Sequence, residues 1–320
     1  MRPILALLPL SLLCLSCAAG DRMTRLVTPS DPFASRLAPY LQRKDVTVAI
    51  AYRHLGTGAT YFHNEDESLH AASTMKVPLM MALFQAVDAG EMRVDEPLPV
   101  RNEFQSIVDG SAFSLDPKED GDPELYEAVG SVRPLEELIR RMIVRSSNLA
   151  TNLLIERIGP SRATDVMRSL GAYRMRVLRG VEDQKAFDSG LINTATAKDL
   201  EILLPALAGG KAFSAASTER MIDILKAQEF NDKIPAYLPK GTVIAHKTGD
   251  ITGIHHDAAI VYPAGEEPYV LVILTSGYRD EKEANGVIAE ISRVIWQARA
   301  LTPPAPSLPA SPPSTGREGD

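Results

Sequence analysis

Near both ends of its central body the chain shows short alternating patterns. Between them apolar residues recur at helical spacing. Val46, Val48 and Ile50 alternate with Thr47, Ala49 and Ala51, a period of two that predicts a strand. Leu55-Gly56-Thr57-Gly58 reads as a turn, and 59–63 as the returning strand. Met75, Leu79, Leu83 and Val87 then fall four apart and predict a helix beginning near Ser73 with one apolar face. Pro78 is compatible with that helix only close to its first turn, where amide donors have no helical partner. Further amphipathic helices are predicted at 135–143, 149–158, 196–207 and 218–225, the second stopped by Gly159-Pro160. Strands return at 242–247, 258–262 and 269–275, and a last helix covers 281–299.

Strands at both ends with helices between predict an α+β fold: an antiparallel sheet assembled from both chain ends, plus a helical subdomain. A cleft between the two parts is the natural place for a site. The stretch 109–132 differs. It carries Asp116, Glu119, Asp120, Asp122 and Glu124 with little apolar content, and reads as a solvated surface loop.

The flanks lack such patterns. Met1-Arg2 precedes an apolar run of about a dozen residues, followed by Ser16-Cys17-Ala18-Ala19. This is the layout of a signal peptide over 1–19, too short to span a bilayer as a lone helix. Leu15-Ser16-Cys17 also resembles a lipoprotein box. Cleavage before a lipidated Cys17 and ordinary cleavage near Ala18-Ala19 both stay open. Either places the mature protein in the periplasm or another extracytoplasmic compartment, with a membrane anchor only through Cys17. Residues 20–31 read as a linker and 32–301 as the folded catalytic body. The Pro-, Ser- and Ala-rich 302–320 is expected to be disordered.

Composition narrows the function. Of 320 residues, 45% are hydrophobic and 23% charged, an ordinary globular balance. The net charge of −7 without a Lys/Arg block argues against a nucleic-acid partner. Both cysteines, Cys14 and Cys17, lie in the first segment, so the body is expected to hold without a disulfide. The scattered histidines form no metal-ligand spacing, and no cofactor is expected. The body is expected to be a monomer.

Three short motifs carry chemistry. In Ser73-Thr74-Met75-Lys76, residues three apart share a helix face. Lys76 can then take the Ser73 proton when neutral, or hold the hydroxyl when charged. Ser146-Ser147-Asn148 offers a second hydroxyl to pass a proton onward and an amide to orient Lys76 and substrate. His246-Lys247-Thr248-Gly249 ends a strand. There Lys247 supplies charge for a substrate carboxylate, Thr248 a hydroxyl, and Gly249 a side-chain-free edge. Each motif alone also fits an ordinary helix cap or a strand lysine.

Together, in this order and on these elements, the motifs resemble the penicillin-recognising serine hydrolases, a superfamily of β-lactamases and D-Ala-D-Ala peptidases, and within them the class A β-lactamases. The resemblance spans nearly the whole body. It implies Ser73 as nucleophile, with an oxyanion hole formed by the backbone N–H groups of Ser73 and Asp250. It also implies a loop glutamate that activates the deacylating water. Glu182, in Arg179-Gly180-Val181-Glu182-Asp183, lies at the family's distance beyond Ser146. The pattern departs from the family in four places. The proline after the loop glutamate is Asp183, and the water-holding asparagine is Ala186. The middle aspartate of Ser-Asp-Asn is Ser147, and an arginine beyond Lys-Thr-Gly is replaced by His255-His256-Asp257. The expected function is β-lactam ring opening through an acyl-enzyme on Ser73, deacylated with help from Glu182. The alternatives are a D-Ala-D-Ala peptidase, a slow penicillin-binding hydrolase, and a non-catalytic binder of cell-wall peptides.

Overall fold

The structure, a computed structural model, describes residues 33–209 and 212–301. The expected signal peptide, linker and Pro-rich tail lie outside the described residues. The elements used below are helix α1 (Ala34–Leu41), strands β1 (Thr47–His54) and β2 (Thr60–His63), and helices α2 (Lys76–Asp88), α3 (Leu135–Val144), α4 (Asn148–Ile158), α5 (Pro160–Ser169), α6 (Gln184–Asp188), α7 (Ala197–Ala208) and α8 (Ala215–Lys226). They are followed by strands β3 (Val243–Ile251), β4 (Ile254–Tyr262) and β5 (Tyr269–Ser276), and by helix α9 (Glu281–Ala298).

The five strands form one antiparallel sheet in the order β2-β1-β5-β4-β3. β1 pairs with β5 in the register Thr47↔Ser276 to His54↔Tyr269, so the two chain ends meet at the sheet's centre, as the pattern predicts. The alternation along β1 divides two cores. Val48, Ile50 and Tyr52 pack with Phe33 and with residues of α1 and α9, including Leu37 and Ile288. Ala49 and Ala51 face a larger core shared with α2, α3, α4 and α7. β3 is left as the sheet's edge and lies against the segment that carries Ser73. Among the described residues no helix is long and apolar enough to cross a membrane.

Three elements depart from the pattern's prediction. Helix α2 buries Val77, Met80, Met81 and Phe84 as well as Leu79 and Leu83. It is a central helix, apolar all round, and not a helix with one apolar face. Gly159 (φ +82°) ends α4, but Pro160 then starts α5 at its first position, where a missing N–H costs nothing. The stretch 109–132 is not wholly solvated. Asp120 and Asp122 are buried, and Asp122 pairs with Arg141 at 2.8 Å and Arg145 at 3.1 Å. These pairs hold the stretch to the end of α3.

Candidate active site

The site is built where three elements end. Ala72–Met75 form a 3₁₀ turn that runs into α2. The bend 145–147 joins α3 to α4, and β3 passes along the edge. Ala72 (φ 44°), Ser146 (φ 56°) and Glu182 (φ 61°) are three of the four non-glycine residues with positive φ among those described. Such backbone costs about 1–3 kcal/mol per residue and persists where surrounding structure fixes it. Its concentration around one cleft marks that cleft as the candidate site.

The cleft has a volume of about 410 Å³, and Ser73, Asn148, Glu182 and Asp250 are among its lining residues. Gly249 backs directly onto the turn that carries Ser73. A Cβ there would lie 3.0 Å from the Ser73 nitrogen and 3.1 Å from that of Thr74. Only glycine lets the strand edge approach this closely without displacing that turn. Asp250, whose backbone N–H is the expected partner donor, follows immediately in β3.

Lys76 is wholly buried at the start of α2. Its Nζ donates to the Ser146 carbonyl at 2.7 Å, to Ser146 Oγ at 3.2 Å and to Asn148 Oδ1 at 2.9 Å. Among the described residues the Ser73 hydroxyl makes no side-chain hydrogen bond, so Lys76 stands engaged with the Ser146–Asn148 bend. Burial lowers the Lys76 pKa to about 7, with the charges of Asp120 and Glu182 pulling the other way. A lysine near neutrality has an accessible free amine at physiological pH, which is what a proton acceptor needs. Lys247, also fully buried, donates to Ser146 Oγ at 3.1 Å and to the Thr248 carbonyl at 2.9 Å. Burial and then repulsion from Lys76 press its pKa well below the lysine value. Ser146 Oγ thus lies between two amines, in a position to relay a proton.

Glu182 enters from the loop before α6. Its Oε1 accepts from Asn148 Nδ2 at 3.2 Å, so Asn148 bridges the lysine and the glutamate. The neighbouring acid has a different place. Asp183 is buried and caps α6 by accepting from Ala186 N at 3.1 Å. It also holds Ser106 Oγ at 2.9 Å and Ile107 N at 3.0 Å. Ala186 is buried inside α6.

Three residues support this set; sequence reasoning missed the roles of the first two and met the third, His256, only within the stretch that stands in place of an arginine. Asn152 grips Val181 on both sides, donating to its carbonyl at 3.0 Å and accepting from its N–H at 2.7 Å. A Cβ at Gly180 would fall 2.3 Å from Asn152 Oδ1, so the glycine is required for this clamp, which sets Glu182 over the cleft. The signal was an asparagine on an otherwise apolar helix face. Asp120 accepts from the N–H groups of Asn148 (3.0 Å) and Leu149 (2.9 Å) and from the Tyr126 hydroxyl (2.8 Å). It satisfies the first amide donors of α4, while Ser147 Oγ takes that of Ala150 at 3.2 Å. Asp120 lay hidden among the acids of its stretch. His256 is buried. Its Nδ1 accepts from Thr275 N at 3.1 Å, so its Nε2 carries the proton and donates to the His70 carbonyl at 2.8 Å. Burial lowers its pKa to about 4, and the neutral ring braces the segment leading into Ser73. His255 is buried as well and contacts Asp250 Oδ1 at 3.0 Å.

A serine at a strained turn, a buried near-neutral lysine, a hydroxyl between two amines and a loop carboxylate over one cleft fit a serine hydrolase site on an α+β scaffold. Residues 32–299 match the beta-lactamase enzyme family, and the chain belongs to that family, in its class A branch. It is 28% identical over 248 residues to the carbapenem-hydrolyzing beta-lactamase KPC of Klebsiella oxytoca, covering 76% of this chain and 80% of that protein. It is 26% identical over 289 residues to beta-lactamase SME-1 of Serratia marcescens, covering 88% and 94%. Among solved structures, a beta-lactamase from Sphaerobacter thermophilus superposes with TM-score 0.71 at 29% identity over 86% of this chain and 98% of that one. PBP-A does so with TM-score 0.71 at 26% identity, over 86% and 99%. A PBP-A mutant solved as an acyl-enzyme complex with penicillin G is 28% identical.

Proposed function

We propose that the protein opens β-lactam rings through an acyl-enzyme on Ser73, in the extracytoplasmic space to which its N-terminal segment directs it. Lys76 as free amine takes the Ser73 proton through the bend it already contacts. Ser146 passes a proton to the leaving nitrogen, and the N–H groups of Ser73 and Asp250 receive the oxyanion. Lys247, Thr248 and Gly249 form the edge against which the substrate lies. Glu182 then accepts the proton of the water that cleaves the ester. The observation that carries this reading is the continuous set Lys76–Asn148–Glu182, which ties the acylating amine and the deacylating carboxylate to one amide.

One observation favours slower turnover, in the manner of a penicillin-binding peptidase. With Ala186 buried in α6, no amide from that position reaches the water that Glu182 would activate, and PBP-A is among the similar structures. Time-resolved intact mass spectrometry with a penicillin tests both readings. The parent is expected to gain a single adduct and lose it. Glu182→Gln, which keeps the shape and removes the base, is expected to hold the adduct about 10²–10⁴-fold longer. Equal adduct lifetimes in the two proteins would remove Glu182 from the mechanism and leave the slow acyl-enzyme reading.

A further inference from the structure

We propose that Ser106, in the hairpin 104–113, is a positioning residue for Glu182. Its hydroxyl fixes the residue next to the loop carboxylate, and so sets the rate at which the acyl-enzyme is hydrolysed without setting the rate at which it forms. The proposal rests on the reading of Glu182 as the deacylating carboxylate and specifies what holds that carboxylate in place.

The hairpin pairs Phe104 with Phe113 and Gln105 with Ala112. Its base is anchored. Phe104 is buried in the larger core, and its ring lies 5.9 Å from that of Phe113. Asn102 and Leu115 exchange two hydrogen bonds of 2.9 Å just outside the paired residues. The turn is closed by Ser106 N, which donates to the Ser111 carbonyl at 2.9 Å. From this turn two ties reach the loop that carries Glu182. In the first, Ser106 Oγ donates to Asp183 Oδ1 at 2.9 Å and Ile107 N to Asp183 Oδ2 at 3.0 Å. In the second, Lys185 Nζ donates to Asp109 Oδ2 and to Ser111 Oγ, both at 2.7 Å. Lys185 and Asp109 are 54% and 47% exposed, and an ion pair in water contributes little. Ser106 and Asp183 are buried, where a hydrogen bond to a charged group counts for more and its loss leaves the carboxylate short of a donor.

Glu182 depends on its neighbours for its position. Its φ of 61° is a backbone state that persists only where the surroundings fix it. Among the described residues its carboxylate has one hydrogen bond, from Asn148 Nδ2 at 3.2 Å. The residue before it, Val181, is gripped by Asn152 of α4. The residue after it, Asp183, is gripped by the hairpin. Loosening either grip frees the strained residue on one side. Ser73, Lys76 and Ser146 have no hydrogen bond to the hairpin among the described residues, so acylation does not draw on it.

The test follows the full chain by intact mass with benzylpenicillin and reads two quantities, the second-order rate of acylation and the lifetime of the adduct. The parent is compared with Ser106→Ala, Glu182→Gln and the double variant. Ser106→Ala is expected to acylate at the parental rate, which also shows that it is folded. Its adduct is expected to last about 3–10-fold longer, a fraction of the roughly 10²-fold effect of a 1 Å misplacement. In the Glu182→Gln background the same change is expected to add nothing, because Ser106 acts through a carboxylate that is already gone. Three outcomes overturn the role of Ser106: a parental lifetime in Ser106→Ala, an acylation rate that falls as far as hydrolysis does, and a lengthening that persists beside Glu182→Gln. A parental lifetime in Glu182→Gln overturns the reading of Glu182, and the proposal with it.

Discussion

Asp120→Asn separates scaffold from chemistry at one atom pair. The carboxylate accepts from two N–H groups at the start of α4, from Asp122 N at 3.0 Å and from the Tyr126 hydroxyl. An amide of the same shape has one acceptor oxygen, and its NH₂ would face donors. Charge-assisted bonds to backbone N–H contribute about 1.5–3 kcal/mol, and an acid at a helix N-terminus about 0.3–1 kcal/mol more. A loss of about 2–3 kcal/mol lowers Tm by roughly 4–12 °C in a domain of this size. The second effect is electrostatic. Burial holds the Lys76 pKa near 7, and the Asp120 charge opposes that lowering. Removing the charge therefore moves the Lys76 pKa further down. The free amine then persists to lower pH, and the acid limb of the acylation rate shifts toward lower pH. The assay is the second-order acylation rate across pH, which reports groups of the free enzyme, beside a thermal melt. Asp120→Glu, which keeps the charge, should leave the limb near its parental position. A lowered Tm with an unmoved limb in Asp120→Asn would reduce Asp120 to a helix cap, and a limb moved to higher pH would refute the base role of Lys76.

Two further outcomes follow from the same geometry. Asp183→Asn should cost about 1–3 kcal/mol of stability, since a buried carboxylate loses acceptor capacity toward Ala186, Ser106 and Ile107; it should still deacylate, and a trapped adduct in this variant would move the base from Glu182 to Asp183. Gly249→Ala places a Cβ 3.0 Å from the Ser73 nitrogen, so that backbone must give by a few tenths of an ångström, and acylation should slow by less than the roughly 10²-fold of a 1 Å misplacement; acylation at the parental rate would show that the strand edge does not set the position of Ser73.

Much of this fold was legible because its patterns are local. The alternation around Val48 and Ile50 and the helical spacing of 135–143 each predict their element, and the three motifs then fall at element ends that converge. Other features depend on contacts between segments far apart in sequence, and no window of residues reports them. The apolar run after Lys76 reads equally as a one-sided or a central helix until a sheet and four helices close around it. Gly159-Pro160 stops one helix and starts the next with the same two residues. Asp120 looks like its exposed neighbours, and only the fold sets it against α4, a helix that begins twenty-eight positions later. The clamp of Asn152 on Val181 is likewise a tertiary fact. So is the inward hold on Lys247.

The central claim is that Ser73 carries the acyl group, and peptide mapping of a trapped adduct tests it most directly. Glu182→Gln is mixed with a penicillin, digested and mapped, and the double variant with Ser73→Ala is treated alongside. The account predicts one adduct of the mass of the intact penicillin, confined to the peptide containing Ser73 and absent from the double variant. An adduct on a peptide without Ser73, or one that survives Ser73→Ala, would contradict it.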